Sequence, residues 1–151
     1  MKLIVSLLLL AFVSSFQINS VNQGHRILVH EESEVNTTFH VQPKFYGKYS
    51  GRKEGFLLLN EDGSGIYKYD YSFKNQGCDV QEIRIKWGFI VDESGKTVRF
   101  ERPYGYSYPI IYESTTEDGF KGCTRGSLVD YLLVYKSGKI TVSSSDDWVH
   151  E

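Results

Sequence analysis

The side chains in this chain with chemistry to offer are two cysteines, four histidines, closely spaced tyrosines and several turn carboxylates. Cys123 lies in Phe120-Lys121-Gly122-Cys123-Thr124-Arg125-Gly126, where neighbouring cations would lower a thiol pKa. A cysteine nucleophile also needs a base, and His25, His30, His40 and His150 are all distant in sequence. In an exported chain the pair Cys78 and Cys123 therefore reads as one disulfide, stabilising by ~4 kcal/mol through the long loop it closes. The histidines have no zinc spacing and no accompanying cysteine, so no metal is expected. Asn60, Asp62 and Ser64 alternate like calcium ligands, but Tyr71 stands at the twelfth position where such a loop needs a bidentate Glu. A hairpin turn is the better reading of that segment. Gly105-Tyr106-Ser107-Tyr108-Pro109 ends in Pro where a nucleophile elbow needs Gly. Glu113, Glu117 and Asp118 sit in a turn-rich stretch where charge is ordinary, and their separation in space is not readable. No nucleophile, metal or acid–base set can be assembled, so the chain is expected to be non-catalytic and without a cofactor.

What remains is binding chemistry carried by aromatic rings. Tyr69, Tyr71, Trp87 and Phe89 are the candidates to line an internal site for a small apolar or amphipathic ligand. Tyr104, Tyr106 and Tyr108 recur at every second residue and are the candidates for an exposed surface that stacks on a glycan or contacts an extracellular protein, as an inhibitor would.

The elements that must position these rings are strands. Beyond Ser15 the chain has neither Ala nor Met, and seven Leu stand against eleven Val, nine Ile, eleven Tyr and eight Phe. Those are the residues of pleated, half-buried surfaces and not of helices. Alternation and turn signals predict eight strands, at 44–50, 56–60, 66–73, 81–92, 97–101, 106–113, 128–135 and 139–144. Short connections favour antiparallel neighbours, so the expected fold is an all-β, up-and-down eight-stranded barrel, with a two-sheet sandwich as the alternative. In 128–135, Val129, Tyr131, Leu133 and Tyr135 make one apolar face, yet Leu128, Leu132 and Val134 crowd the other beside Asp130. Burial on both sides follows, by the N-terminal lead-in, the Trp148 segment or a second subunit.

Met1-Lys2, an apolar run from Leu3 to Val13, and Ser14-Ser15 fit a signal peptide over 1–15, which predicts a secreted or periplasmic product. Residues 16–42 read as a polar lead-in and 43–151 as a single β domain. No cysteine lies near the cleavage site to carry a lipid and no hydrophobic tail follows Trp148, so no membrane anchor is expected. With a mature charge of about −3 and no basic cluster, neither is nucleic-acid binding.

Phe45-Tyr46-Gly47-Lys48-Tyr49, followed by Leu57-Leu58-Leu59-Asn60-Glu61-Asp62-Gly63-Ser64-Gly65-Ile66-Tyr67, resembles the opening of lipocalin-like small barrels. In those proteins a Gly-x-aromatic strand precedes a hairpin with an Asp-Gly turn. Tyr49 stands where the usual motif has Trp, and no clear helix follows the last strand. The resemblance implies a barrel that binds a small apolar ligand inside it.

Overall fold

The computed structural model describes residues 24–51, 55–68, 82–115, 127–135, 137–142 and 148–151. The segment 1–15, Tyr69, Tyr71, Cys78 and Cys123 lie outside the described residues. The strands, in order, are β1 (His25–His30), β2 (Ser33–Thr38), β3 (Gly47–Ser50), β4 (Phe56–Leu59), β5 (Ser64–Lys68), β6 (Glu82–Ile90), β7 (Phe100–Arg102), β8 (Gly105–Ser114), β9 (Ser127–Tyr135), β10 (Ile140–Val142) and β11 (Trp148–His150). A 3-10 turn, Pro43–Phe45, precedes β3.

Hydrogen bonding runs β6-β5-β4-β3-β11-β10-β9-β8 and returns from β8 to β6. Every pairing in this ring is antiparallel. The fold is thus a closed eight-stranded antiparallel barrel with extra strands, as the alternation predicts, and not a sandwich. Membership of the ring differs in one place. Of the expected strand at 97–101 only Phe100 and Glu101 are in a strand, β7, a short, exposed hairpin partner on β8 outside the ring. Its place is taken by β11, which bridges β3 and β10. Trp148 drives that choice, because its indole is buried in the barrel while Phe100 stays 43% exposed.

The lead-in contributes a hairpin. β1 and β2 pair from His25↔Thr38 to His30↔Ser33, and the two turn residues, Glu31 and Glu32, both take positive φ. That backbone suits the twist of a two-residue hairpin, which Asn-Gly or Asp-Gly would normally signal. β2 continues along β6 at Thr37↔Ile90 and Thr38↔Phe89. Gly88 makes the approach possible, since a Cβ there would lie 2.5 Å from the Thr37 Oγ1. Arg26 pins the hairpin to the β4–β5 turn by donating to the Gly63 and Asp62 carbonyls at 3.0 and 3.1 Å.

This hairpin covers the outer side of the barrel at β8 and β9. Leu28 is 1% exposed, the outward-facing Ile111 is buried, and the Val29 N–H donates to Glu113 at 3.0 Å. Burial of β9 on both sides, as its pattern predicts, is met only in part. Leu128, Asp130, Leu132 and Val134 face the interior, while Val129 and Tyr135 are exposed on the outside. Barrel closure puts Leu132 and Val134 in the core, and the outer face is only partly covered, with Tyr131 and Leu133 half-buried. Leu28→Ala is expected to lower stability by about 2–4 kcal/mol, measured by urea unfolding, and to speed amide exchange in β1 and β2 before the barrel strands. Unchanged stability would mean that the hairpin does not pack on β8.

The core fills the middle of the barrel with Tyr49, Leu57, Ile85, Trp87, Tyr112 and Leu132, each at most 1% exposed.

Candidate functional site: an aromatic mouth at one end of the barrel

One end of the barrel is framed by the β2–β3 connection (39–46), the β4–β5 turn (60–63) and the β6–β7 loop (91–99). Three rings meet there. Phe45 makes edge contacts with Phe89 and Tyr108, both at 5.3 Å between centroids, and Phe89 stacks on Tyr108 at 5.2 Å. Tyr106 follows Tyr108 on the same face of β8, at 5.5 Å. A cleft of about 360 Å³ opens over these rings, walled by His40, Val41 and Gln42 on one side and Thr97 on the other. Thr97 and Tyr108 also line an adjoining, more polar cleft of about 480 Å³ with Asp92, Lys96, Arg99 and Glu101.

Local sequence explains why the walls hold. Pro43 starts the 3-10 turn that carries Phe45, closed by the Phe45 and Tyr46 N–H groups on the Gln42 and Pro43 carbonyls. The Tyr46 hydroxyl sits between Phe39 and Val41, accepting from the Val41 N–H at 3.3 Å and lying 3.1 and 3.2 Å from the Val41 and Phe39 carbonyls. Tyr49 donates to the Phe45 carbonyl at 2.8 Å, and its burial raises the phenol pKa. On the facing loop, Asp92 accepts from the Ser94 hydroxyl and from the Ser94 and Lys96 N–H groups at 2.6, 2.9 and 3.0 Å. Those bonds hold its carboxyl below the usual carboxylate range.

Cations gather around Tyr106. Lys44 lies 5.1 Å from the Phe45 ring and 5.8 Å from the Tyr106 ring, and its ammonium donates to the Tyr106 hydroxyl at 3.2 Å. The Arg99 guanidinium sits 5.2 Å from the same ring and pairs with Glu101 at 2.7 Å.

Of the internal set expected from sequence, Phe89 forms part of this cleft. Trp87 does not: it is wholly buried one layer deeper and donates to the Ser64 and Asn60 carbonyls at 2.9 and 3.2 Å. Of the external set, Tyr108 lines the cleft and Tyr106 stands beside it, both half-buried on the inward face. Tyr104 alone of the three is freely exposed, at 76%. The three tyrosines therefore do not form one outer surface, because β8 continues its alternation inward through Tyr108 and Ile110. Val41 and Thr97 were not singled out from sequence, and His40 and Phe45 were named there for other reasons, as a histidine without zinc spacing and as the start of the barrel motif.

A second cleft of about 330 Å³ lies by the β7–β8 turn, lined by Arg102, Pro103, Tyr104, Tyr131, Leu133 and Tyr135 among others. In the Asn60–Ser64 segment the side chains bond one another, with Ser64 donating to Asp62 and Asn60 donating to Ser64, as a hairpin turn requires. Among the described residues no three His, Cys, Asp or Glu side chains come together to hold a metal ion.

Deeper in the barrel, Asp130 faces inward from β9 opposite Ile110, two register positions from Tyr112 on β8. Burial pushes its carboxyl up to about 7, against one opposing hydrogen bond from the Tyr131 N–H at 2.8 Å. The Tyr112 hydroxyl and the Trp148 indole N–H are buried with no partner among the described residues. Burial, and next the charge of Asp130, raise the Tyr112 phenol well above its ordinary value. Comparison of the chain with family models, curated proteins and solved structures finds no match.

Proposed function

We propose that the protein is a lipocalin-like, non-catalytic binding protein that takes a small amphipathic ligand into the mouth of its barrel. The observation that carries this reading is the aromatic cleft of about 360 Å³ floored by Phe45, Phe89 and Tyr108. Small-molecule sites are concave and run from ~300 Å³ upward, with a few placed polar groups among apolar ones; here His40, Gln42 and Thr97 stand around the three rings. Export directed by residues 1–15 and a Cys78–Cys123 bridge belong to the same reading.

Native mass spectrometry of protein purified from its own source tests it: a retained small molecule of defined mass is the expected result. The site is located by titrating an anilinonaphthalene sulfonate probe. Tyr108→Ala is expected to weaken probe binding about tenfold, while Tyr104→Ala leaves it unchanged. The opposite ranking would move the site to the second cleft, where exposed Tyr104 and the outward rings of β9 favour an extracellular protein or glycan partner.

A further inference from the structure

We infer that β7 is a docking edge for a second copy of this chain, which adds its own β7 antiparallel to the first about a two-fold axis at Phe100. Nothing in this pairing requires the mouth to hold a ligand.

β7 ends the strand order on one side, and no described strand pairs with its outer edge. The β7–β8 hairpin turns through Pro103 and Tyr104, with Arg102↔Gly105 as its last pair. In a two-residue hairpin the closing pair exchanges its hydrogen bonds, so the next residue, Glu101, points its N–H and C=O away from β8. The β1–β2 hairpin has the same form, and there the corresponding residue, Val29, does turn its N–H outward. The two edges differ in what they meet. Val29 donates to Glu113 of its own chain, whereas Glu101 faces no described strand.

Short, charged edge strands commonly keep other chains away. The charges of this one are opposite in sign and two residues apart, which makes the edge complementary to itself. Arg99, just before the strand, and Glu101 meet at 2.7 Å on one face, with side chains 51% and 73% exposed. A second copy centred on Phe100 sets Arg99 of each chain opposite Glu101 of the other. Those are the hydrogen-bonded positions of the new ladder, so each backbone exchange is flanked by unlike charges. Centring the pairing on Arg99 or on Glu101 would instead set like charges opposite each other.

The other face of the strand agrees. Phe100 and Arg102 alternate to the outer side, where the Phe100 ring lies 6.2 Å and the Arg102 guanidinium 5.9 Å from the Tyr131 ring. Phe100 is 43% exposed, a large ring on a strand that nothing described covers. At the axis the two Phe100 residues form the non-hydrogen-bonded pair, where cross-strand side chains come closest and aromatic pairs stabilise a sheet. Arg99 and Glu101 also line the polar cleft beside the mouth, so in the pair each such cleft gains the same two side chains of the other chain along its edge. The interface is isologous and closes at two copies. Its seam is short, so a weak dimer is expected, dissociating at about 10–100 μM.

Sedimentation velocity of the purified full chain, from about 5 to about 500 μM, is expected to show a reversible monomer–dimer equilibrium. Arg99→Glu and Glu101→Arg, each alone, set like charges across the axis and raise the dissociation constant about tenfold or more. Mixing the two variants makes both positions unlike again, and a heterodimer of parental affinity forms. Circular dichroism identical to that of the parent shows that the exposed substitutions leave the barrel intact. Phe100→Cys, at the axis, is expected to give a disulfide-linked dimer in air, while Ile27→Cys, as exposed on the other edge strand, does not. A monomer at every concentration, which would leave the edge to a different protein, overturns the inference. So does a dimer that both single variants leave intact, a mixture that fails to recover, or a dimer without the Phe100→Cys bridge.

Discussion

Trp87→Ala is expected to remove about 3–5 kcal/mol of stability, a large part of the ~5–15 kcal/mol that a domain commonly has. The indole is wholly buried in the middle of the barrel, with Tyr46 and Phe89 rings at 6.1 and 6.0 Å. Its N–H also ties the barrel wall to the β4–β5 turn through the Asn60 and Ser64 carbonyls. Both carbonyls keep a backbone donor when the indole is gone, from Gly63 and Asn60 respectively. Trp87→Phe is therefore expected to cost less, about 2 kcal/mol, from reduced volume and one lost hydrogen bond. Urea titrations followed by far-ultraviolet circular dichroism order the three proteins as parent, Phe, Ala. A loss below about 1 kcal/mol for the Ala variant would contradict the packing described for this layer.

Asp130→Asn is expected to make the protein more stable at neutral and alkaline pH and to leave it nearly unchanged near pH 4. The carboxyl has a folded-state pKa of about 7 against an ordinary value of 3.8. Between those values the folded chain holds a proton that the unfolded chain has released, so stability falls as pH rises through this window. It is level below the window and level again above it. Each tenfold difference in proton affinity between the folded and unfolded chains is worth ~1.4 kcal/mol, so the whole fall is at most about 4 kcal/mol. Asn stays neutral throughout and its amide oxygen can still accept from the Tyr131 N–H, so the variant loses the slope. Urea midpoints at pH 4, 5.5, 7 and 8 provide the measurement. Parallel curves for parent and variant would show that Asp130 is already ionised in the folded protein at acid pH.

Local pattern was enough to read much of the barrel. Ile83, Ile85, Trp87 and Phe89 alternate without interruption, and the strand they predict is β6, with all four buried. The Asp62-Gly63 turn was equally legible, because only a few residue types accept the positive φ that Gly63 adopts. The β1–β2 hairpin was not, since Glu31 and Glu32 occupy turn positions that their side chains do not advertise. β11 escaped for a different reason: a strand of three residues is too short for any period to show, and its place is set by Trp148 meeting Tyr67 across the barrel at 5.4 Å. The candidate site was legible in part. Phe89 and Tyr108 were both marked as binding residues, but on opposite hypotheses, one internal and one external. That they stack on each other is a fact of ring closure between β6 and β8, which no local pattern contains.

The same closure has a kinetic side. β3 and β11 meet at Tyr49↔His150 and Ser50↔Val149, with residues about a hundred positions apart, and the His150 ring lies 2.7 Å from the Tyr46 carbonyl. Neighbouring hairpins such as β3–β4 and β4–β5 can form from short loops, but the seam between first and last staves requires the whole intervening chain to be gathered first. Folding is then expected on the slow side for a domain of this size, in milliseconds to seconds. Until the seam closes, both unpaired edges are open to other chains.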